Sequence, residues 1–201
     1  MSNFSMEATV LTFAVISFSY LLGSIPFGIL VSKVFGLGNL RDIGSGNIGA
    51  TNVLRTGNKL AALITLILDG AKGALVVIVA RLISEDAAIT ASICVIIGHI
   101  YPAWVRFSGG KGVATFIGAL LVLSFATGFL VCLIWIMTAF IFRYSSLSAM
   151  VSSVSAPIWI FLFYGNEALI VTTIMAVLIC YRHKDNIRRL INGSETRIGK
   201  V

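Results

Sequence analysis

The residues of this chain that could do chemistry lie in three polar stretches that interrupt otherwise apolar sequence. The first runs from Arg41 to Arg55 and sets glycines at 44, 46 and 49 among Ser45, Asn47, Asn52 and two arginines. Successive glycines let backbone amides turn inward as a nest for anionic oxygens, and an arginine adds a planar double donor. The second runs from Gly98 to Thr115 and opens an apolar run with Gly109-Gly110-Lys111-Gly112. Amide donors and an ammonium at a positive helix end suit a phosphate. The third continues the last apolar run from Tyr181 to Glu195. If it stays helical, His183 and Asn186 share a face, as do Arg182, Asn186 and Arg189. A lipid anchor needs only cations, so His183, Asn186 and Glu195 point to more than anchoring.

Two familiar phosphate motifs are mimicked and rejected. Gly44, Gly46 and Gly49 spell GxGxxG with Asp69 twenty residues beyond, but the dinucleotide fingerprint needs a preceding strand in a soluble βαβ unit. The Gly110-Lys111 pair is not a Walker A loop, because position 105 is Val and position 112 is Gly. Asp69-Gly70-Ala71-Lys72-Gly73 interrupts another apolar run. Charges inside such a run mark either a functional site or a mutually neutralising pair that holds the fold. Tyr101 and Trp104 read as an interfacial aromatic belt. His99 reads equally as a helix-end histidine bonded to a carbonyl or as a direct participant.

Composition says where these stretches sit. Of 201 residues, 58% are hydrophobic and 11% charged, and the mean hydropathy is +0.99. A soluble domain carries about 25% charged residues, so this chain lacks the charge for a water-facing surface. The net charge of +7 does not imply nucleic acid. Of the 15 Lys and Arg, 13 fall in four short stretches between or after apolar runs, as the positive-inside rule requires, and no aromatic interleaving accompanies them. Cys94, Cys132 and Cys180 lie inside apolar runs without ligand spacing and read as inert thiols. No metal site and no cofactor is expected. The first apolar run lacks a basic n-region and a small-residue cleavage site, so it reads as a retained helix.

Apolar runs occupy roughly 8–32, 60–83, 87–105, 112–142, 146–164 and 167–181. The run 112–142 would make a helix about 46 Å long, against a hydrocarbon core of ~30 Å. A hairpin turning near Gly128 keeps Arg143 and the basic tail on the same side as the other cations. The expectation is an all-α polytopic membrane protein of about seven transmembrane helices, some short, N-terminus out and C-terminus in. It forms a single integral membrane domain over 1–201, with cytoplasmic polar segments 33–59, 106–112, 143–146 and 182–201. The alternative for the run 60–83 is a break at Asp69 and Lys72 that would carry one of them to the cytoplasmic site.

Six segments in this order resemble the bacterial acyl-phosphate:glycerol-3-phosphate acyltransferases, the PlsY family. They are Gly23-Ser24-Ile25-Pro26-Phe27-Gly28, Gly44 to Asn52, Asp69 to Gly73, Gly98 to Pro102, Gly109 to Thr115 and Arg182 to Asn186. The resemblance implies a small helical enzyme of the bacterial plasma (inner) membrane, with its active site on the cytoplasmic side. It would move an acyl group from acyl phosphate to the sn-1 hydroxyl of glycerol 3-phosphate, giving lysophosphatidic acid and phosphate, the first step of phospholipid synthesis. Carried over by motif, Ser45 and Arg55 belong to the first loop. Gly109, Gly110, Lys111 and Gly112 belong to the second, associated with glycerol 3-phosphate. His183, Asn186 and Glu195 belong to the third. The family often has lysine where this chain has Ser108.

Soluble-headed glycerolipid acyltransferases pair His with Asp five residues on, but positions 104 and 188 here are Trp and Arg. Acyl phosphate is a mixed anhydride with a good leaving group, so catalysis can rest on positioning and charge stabilisation. The residues expected to act directly are therefore Ser45, Lys111, His183 and Asn186. Those expected to bind phosphate or substrate are Gly46, Asn47, Asn52, Arg55, Gly109, Gly110, Gly112, Thr115 and Glu195, with Asp69, Lys72, His99 and Arg182 as further candidates. Backbone amides around Gly46 and Gly110 are expected to hold phosphate oxygens. The expected partners are acyl phosphate, glycerol 3-phosphate and the lipid bilayer, without nucleic acid; oligomeric state is left open, and a monomer suffices. The alternative is a small transporter of a phosphate-bearing anion, although no internal repeat is evident.

Overall fold

In the computed structural model, which describes residues 2–199, every regular element is helical. In chain order these are α1 (Ser2–Gly23), α2 (Phe27–Val34), α3 (Ala50–Leu54), α4 (Lys59–Arg81) and α5 (Glu85–Ile100). They continue as α6 (Val113–Leu123), α7 (Phe125–Phe142), α8 (Ser145–Tyr164), α9 (Leu169–Arg182) and α10 (Lys184–Ile191). Five segments are long and apolar enough to cross a membrane: Thr9–Val34, Lys59–Arg81, Glu85–Val105, Phe125–Phe142 and Ser145–Tyr164. Val113–Leu123 and Leu169–Arg182 are apolar but shorter. At 1.5 Å per residue these two are about 17 and 21 Å long, less than the ~30 Å hydrocarbon core.

The run 112–142 does divide into two helices, but at Ser124 rather than at Gly128. The products are 11 and 18 residues long, not two equal halves. Ser124 is extended at φ −147° and ψ 103°, and its hydroxyl pairs with Thr127 Oγ1 at 2.9 Å. Gly128 serves close packing instead: a Cβ there would lie 2.4 Å from the Leu121 nitrogen. The short α6 ends against Arg81 of α4, whose guanidinium donates to the carbonyls of Val122 (2.5 Å) and Leu123 (2.9 Å). A cation on the last carbonyls of a helix satisfies acceptors that have no partner inside it.

Two other features correct or refine the expectation. The first long span is interrupted at Ser24-Ile25-Pro26, between α1 and α2, where proline removes a donor and turns the chain. At this break the Ile25 carbonyl accepts from Lys72 Nζ at 2.9 Å as well as from the Phe27 amide at 3.1 Å. In contrast, α4 runs unbroken through Asp69 and Lys72. Both charges stay inside the bundle, 2.8 Å apart and only 3% exposed. Helix continuity wins here because the pair neutralises itself within one turn.

The core lies where α1, α4, α5, α6, α8 and α9 meet, around Val76, Ile96, Phe116, Leu120, Ile160 and Met175, all fully buried. Apolar burial gives little association between helices in lipid, so close backbone approach through small residues matters more. In the α4–α6 interface a Cβ on Gly118 would lie 2.0 Å from the Gly70 carbonyl oxygen, and one on Gly73 would lie 2.2 Å from that of Thr115. A Cβ on Gly70 itself would meet nothing closer than 3.6 Å. Gly118→Ala should therefore lower stability by about 1–3 kcal/mol through forced separation of the helices, whereas Gly70→Ala should be tolerated. Unfolding of the detergent-solubilised variants checks this contrast.

Candidate active site

The first loop is organised by one buried side chain. Asn52, in the middle of the short α3, donates through Nδ2 to the Leu40 carbonyl at 2.9 Å. Its Oδ1 accepts from the Ser45 amide (3.0 Å), the Ser45 hydroxyl (3.3 Å) and Arg55 Nη1 (3.4 Å). Asn52 thus sets Ser45 and Arg55 in place while it also lines the cavity described below. Gly44, at φ +52°, lets Arg55 and Asn52 come within 2.7 Å of where a Cβ would stand. The Gly46 amide donates to the Ile43 carbonyl at 2.9 Å, closing a turn rather than offering an anion nest.

The second loop carries a similar correction. The Gly109 and Gly110 amides donate to the Ile100 and His99 carbonyls at 3.0 and 3.1 Å. They satisfy the last acceptors of α5 and are not available to a phosphate. The open donors lie just beyond, in the first turn of α6, where Val113 and Ala114 have no acceptor four residues back within the helix. The Lys111 ammonium hydrogen-bonds Asn186 Oδ1. Thr115 turns inward, its hydroxyl 3.3 Å from His99 Nδ1 in the buried network with Asp69 and Lys72, and it is not on the wall of the cavity described below.

The third stretch remains helical, as α9 and α10 with His183 at the junction. His183 Nδ1 lies 2.8 Å from the Ile179 carbonyl. A carbonyl can only accept, so Nδ1 carries the proton and Nε2 holds the lone pair in the neutral ring. Burial, helped by nearby Lys111, lowers the His183 pKa to about 4, which keeps the ring neutral near pH 7. Asn186 accepts from Lys111 and donates to Glu195 Oε1 at 2.6 Å. Glu195 also accepts from Ser146 (2.6 Å) and Arg189 (2.7 Å). Burial pushes its carboxyl upward, but these hydrogen bonds outweigh it and hold the pKa below the usual range. Arg182 lies off this cluster, with its guanidinium over the Tyr101 ring and 3.5 Å from the Gly109 carbonyl.

One cavity of about 630 Å³ joins the three stretches. Its polar end carries Ser45, Asn47, Arg55, Lys111, His183, Asn186 and Glu195, and its side wall includes Asp69 and His99. It continues between α4, α6 and α7 past Leu66, Ile67, Ala74, Ile117, Leu121 and Trp135. Lys72 and Arg182 are not on its wall. The sequence reading missed Ser146, Arg41, Arg189 as a site residue, and the tail 196–199. Arg41 bonds the Ser108 carbonyl and so ties the first loop to the second. Arg189 holds Glu195 rather than lipid. The tail lines the cavity mouth, with the Ile198 amide donating to the Arg143 carbonyl at 2.7 Å. The serine pair opening α8 just after Arg143 was a signal available for Ser146.

Fold and cavity define a polytopic membrane protein whose cationic site opens into an apolar groove. A family model described as glycerol-3-phosphate acyltransferase matches residues 13–193. Relatives carrying that name include one from Cereibacter sphaeroides, 54% identical over 182 residues, which cover 90% of this chain and 87% of the relative. Another, from Roseobacter denitrificans, is 55% identical over 182 residues, covering 90% and 91%. Among solved structures, the crystal structure of PlsY (YgiH), an integral membrane glycerol 3-phosphate acyltransferase, in its glycerol 3-phosphate form superposes with a TM-score of 0.89 at 35% identity over 94% of this chain and 96% of that one. Its lysophosphatidic acid form gives 0.87 at 34% identity, over 94% and 95%. This chain belongs to the glycerol-3-phosphate acyltransferase family. It is an enzyme of that class, and the transporter alternative falls.

The Lys111 amine is held down to about 8, chiefly by burial and further by Arg189, Arg55 and Arg182, against the pull of Glu195. A lowered amine loses its charge as pH rises through that value, so anion binding is strong below it and weak above. Affinity for inorganic phosphate should fall about tenfold between about pH 7 and 9. Lys111→Arg should flatten this profile, because guanidinium stays charged. Calorimetric titration of both proteins checks it.

Proposed function

We propose that this chain transfers a fatty acyl group from acyl phosphate to the sn-1 hydroxyl of glycerol 3-phosphate, at the cytoplasmic face of a bacterial plasma membrane. The observation that carries the reading is the continuity of one cavity, cationic at one end and apolar at the other. The orientation rests on the clustering of basic residues in the segments 33–59, 106–112, 143–146 and 182–201 of what reads as one integral membrane domain.

In this reading Arg55, Lys111 and the first amides of α6 receive the phosphates. Burial lowers the Arg55 pKa, yet a guanidinium remains charged near neutral pH. Asn186 holds the Lys111 ammonium, and Glu195, fixed by Ser146 and Arg189, holds Asn186. Asn186 here orients Lys111, whereas from sequence it is expected to act directly. Ser45, with a long 3.3 Å bond to Asn52, can redirect its hydroxyl to the acyl carbonyl. The acyl chain lies along Leu66, Ile67, Ala74, Ile117, Leu121 and Trp135. Moving that chain from lipid into an apolar groove gains little, because both surroundings are apolar. Affinity must come from the phosphate end, and the groove supplies orientation.

The hydroxyl oxygen attacks the acyl carbonyl carbon, forming an oxyanion that Ser45 and the cations stabilise. Collapse breaks the bond between that carbon and the bridging phosphate oxygen, releasing phosphate and lysophosphatidic acid. His183, with its depressed basicity, is a poor final proton acceptor. Its Nε2 lone pair accepts the hydroxyl hydrogen bond and aims the attack. The proton leaves with a phosphate oxygen of the departing group.

Purified protein given palmitoyl phosphate and glycerol 3-phosphate should release inorganic phosphate only when both are present. Lys111→Ala and Ser45→Ala should each lower turnover at least about a hundredfold while remaining folded by circular dichroism. Wild-type turnover in both variants would overturn these assignments.

A further inference from the structure

We infer that His99 is the positioning residue of the Lys111 loop, a wedge that transmits the location of the buried Asp69–Lys72 pair to the phosphate end of the cavity. The kinetic part of this inference rests on the acyltransferase reading above. His99 sits in the last turn of α5 and is 5% exposed. Its Nδ1 faces Asp69 Oδ1 at 3.5 Å and Thr115 Oγ1 at 3.3 Å. The opposite edge of the ring faces Gly110. A Cβ built on Gly110 would lie 2.2 Å from His99 Nε2, 3.0 Å from Cε1 and 3.1 Å from Cδ2, and these ring atoms are its three nearest neighbours.

Gly110 is not among the residues with positive φ, so its backbone suits any L-residue. The three atoms that a Cβ there would meet first all belong to the imidazole. A side chain can usually swing away from such a clash, but the Nδ1 edge of this ring pairs with the Thr115 hydroxyl on α6 and abuts the Asp69 carboxylate on α4. Its own backbone is fixed too, because the His99 carbonyl accepts from the Gly110 amide at 3.1 Å. Lys111 follows directly, and the first amides of α6 begin two residues later.

An apolar ring would fill this space with less desolvation than an ionisable one beside a buried carboxylate. What the apolar ring would lack is a fixed rotation about its axis. The hydrogen-bonding edge supplies that rotation, so the height of the loop follows from Asp69. In this chain of contacts the Asp69–Lys72 pair sets the ring, the ring sets Gly110, and Gly110 sets Lys111.

A mutant cycle on the full-length protein tests the wedge. His99→Asn keeps a polar group near the Nδ1 position and the backbone hydrogen bond, but removes the edge against Gly110. It should raise KM for glycerol 3-phosphate about tenfold while lowering kcat less, as loss of phosphate placement would. Gly110→Ala alone should lower kcat/KM about a hundredfold. His99→Asn combined with Gly110→Ala should recover to within about threefold of His99→Asn alone, a coupling expected only for groups in contact. His99→Gln, which reaches as far as Nε2, should give no such relief. Wild-type kinetics in Gly110→Ala, or losses that simply add in the double variant, would overturn the inference. If the wild-type chain transferred no acyl group at all, the functional reading would fall instead. The unfolding midpoints of the same four proteins would then decide the wedge: recovery by His99→Asn supports it, and additive losses overturn it.

Discussion

Asp69 and Lys72 place a full ion pair inside a membrane-spanning helix, where an isolated charge would lose several kcal/mol of hydration. Much of the surrounding architecture is what makes that pair tolerable. The first span breaks at Pro26 and gives the Ile25 carbonyl to Lys72, while the Phe27 ring lies 5.5 Å from the ammonium. From α5, His99 approaches Asp69, and from α6, Thr115 joins His99. Four helical segments are registered on two charges. Gly73 and Gly118 allow the approach of α4 to α6 that this registration demands.

The consequence is a division of labour along α6. Its first residues face the cations of the polar end, and its middle lines the apolar groove. Its last carbonyls are held by Arg81. An 11-residue helix is too short to cross the bilayer straight, so it needs this polar cap. The open amides of its first turn lie beside the cavity, whose wall includes Lys111, Gly112, Val113 and Ala114. A water-soluble phosphate and a lipid-borne acyl chain can therefore meet within one cavity.

Much of this was legible in the sequence, for reasons that differ between residues. Run length and charge asymmetry gave the helical membrane class and the grouping of basic segments, because both depend on composition over many residues. Ser45, Arg55, Lys111, His183, Asn186 and Glu195 do meet on one cavity, as the three stretches suggested. What sequence could not separate was a glycine that cradles an anion from a glycine that admits another side chain. Gly109 and Gly110 have the look of a phosphate loop, yet their amides close onto the end of α5. The difference lies in contacts with residues about ten positions away. Likewise Asn186 and Asn52 read as ligand groups; the structure shows each engaged by neighbouring loop residues while still lining the cavity, a pairing that sequence spacing alone does not reveal. Gly128 was mistaken for a turn because glycine serves both turns and close packing, and the backbone break falls at Ser124.

The central claim is that phosphate chemistry and acyl-chain placement share a single cavity. A photoreactive acyl phosphate carrying a diazirine in its chain, activated in the presence of glycerol 3-phosphate and mapped by mass spectrometry, tests this most directly. The account predicts labelling of α4, α6 and α7 along Leu66 to Ala74, Ile117 to Leu121 and Cys132 to Ile136, lost when an unlabelled acyl phosphate competes. Labelling confined to the lipid-facing surfaces of α8 and α9, unaffected by competition, would contradict it.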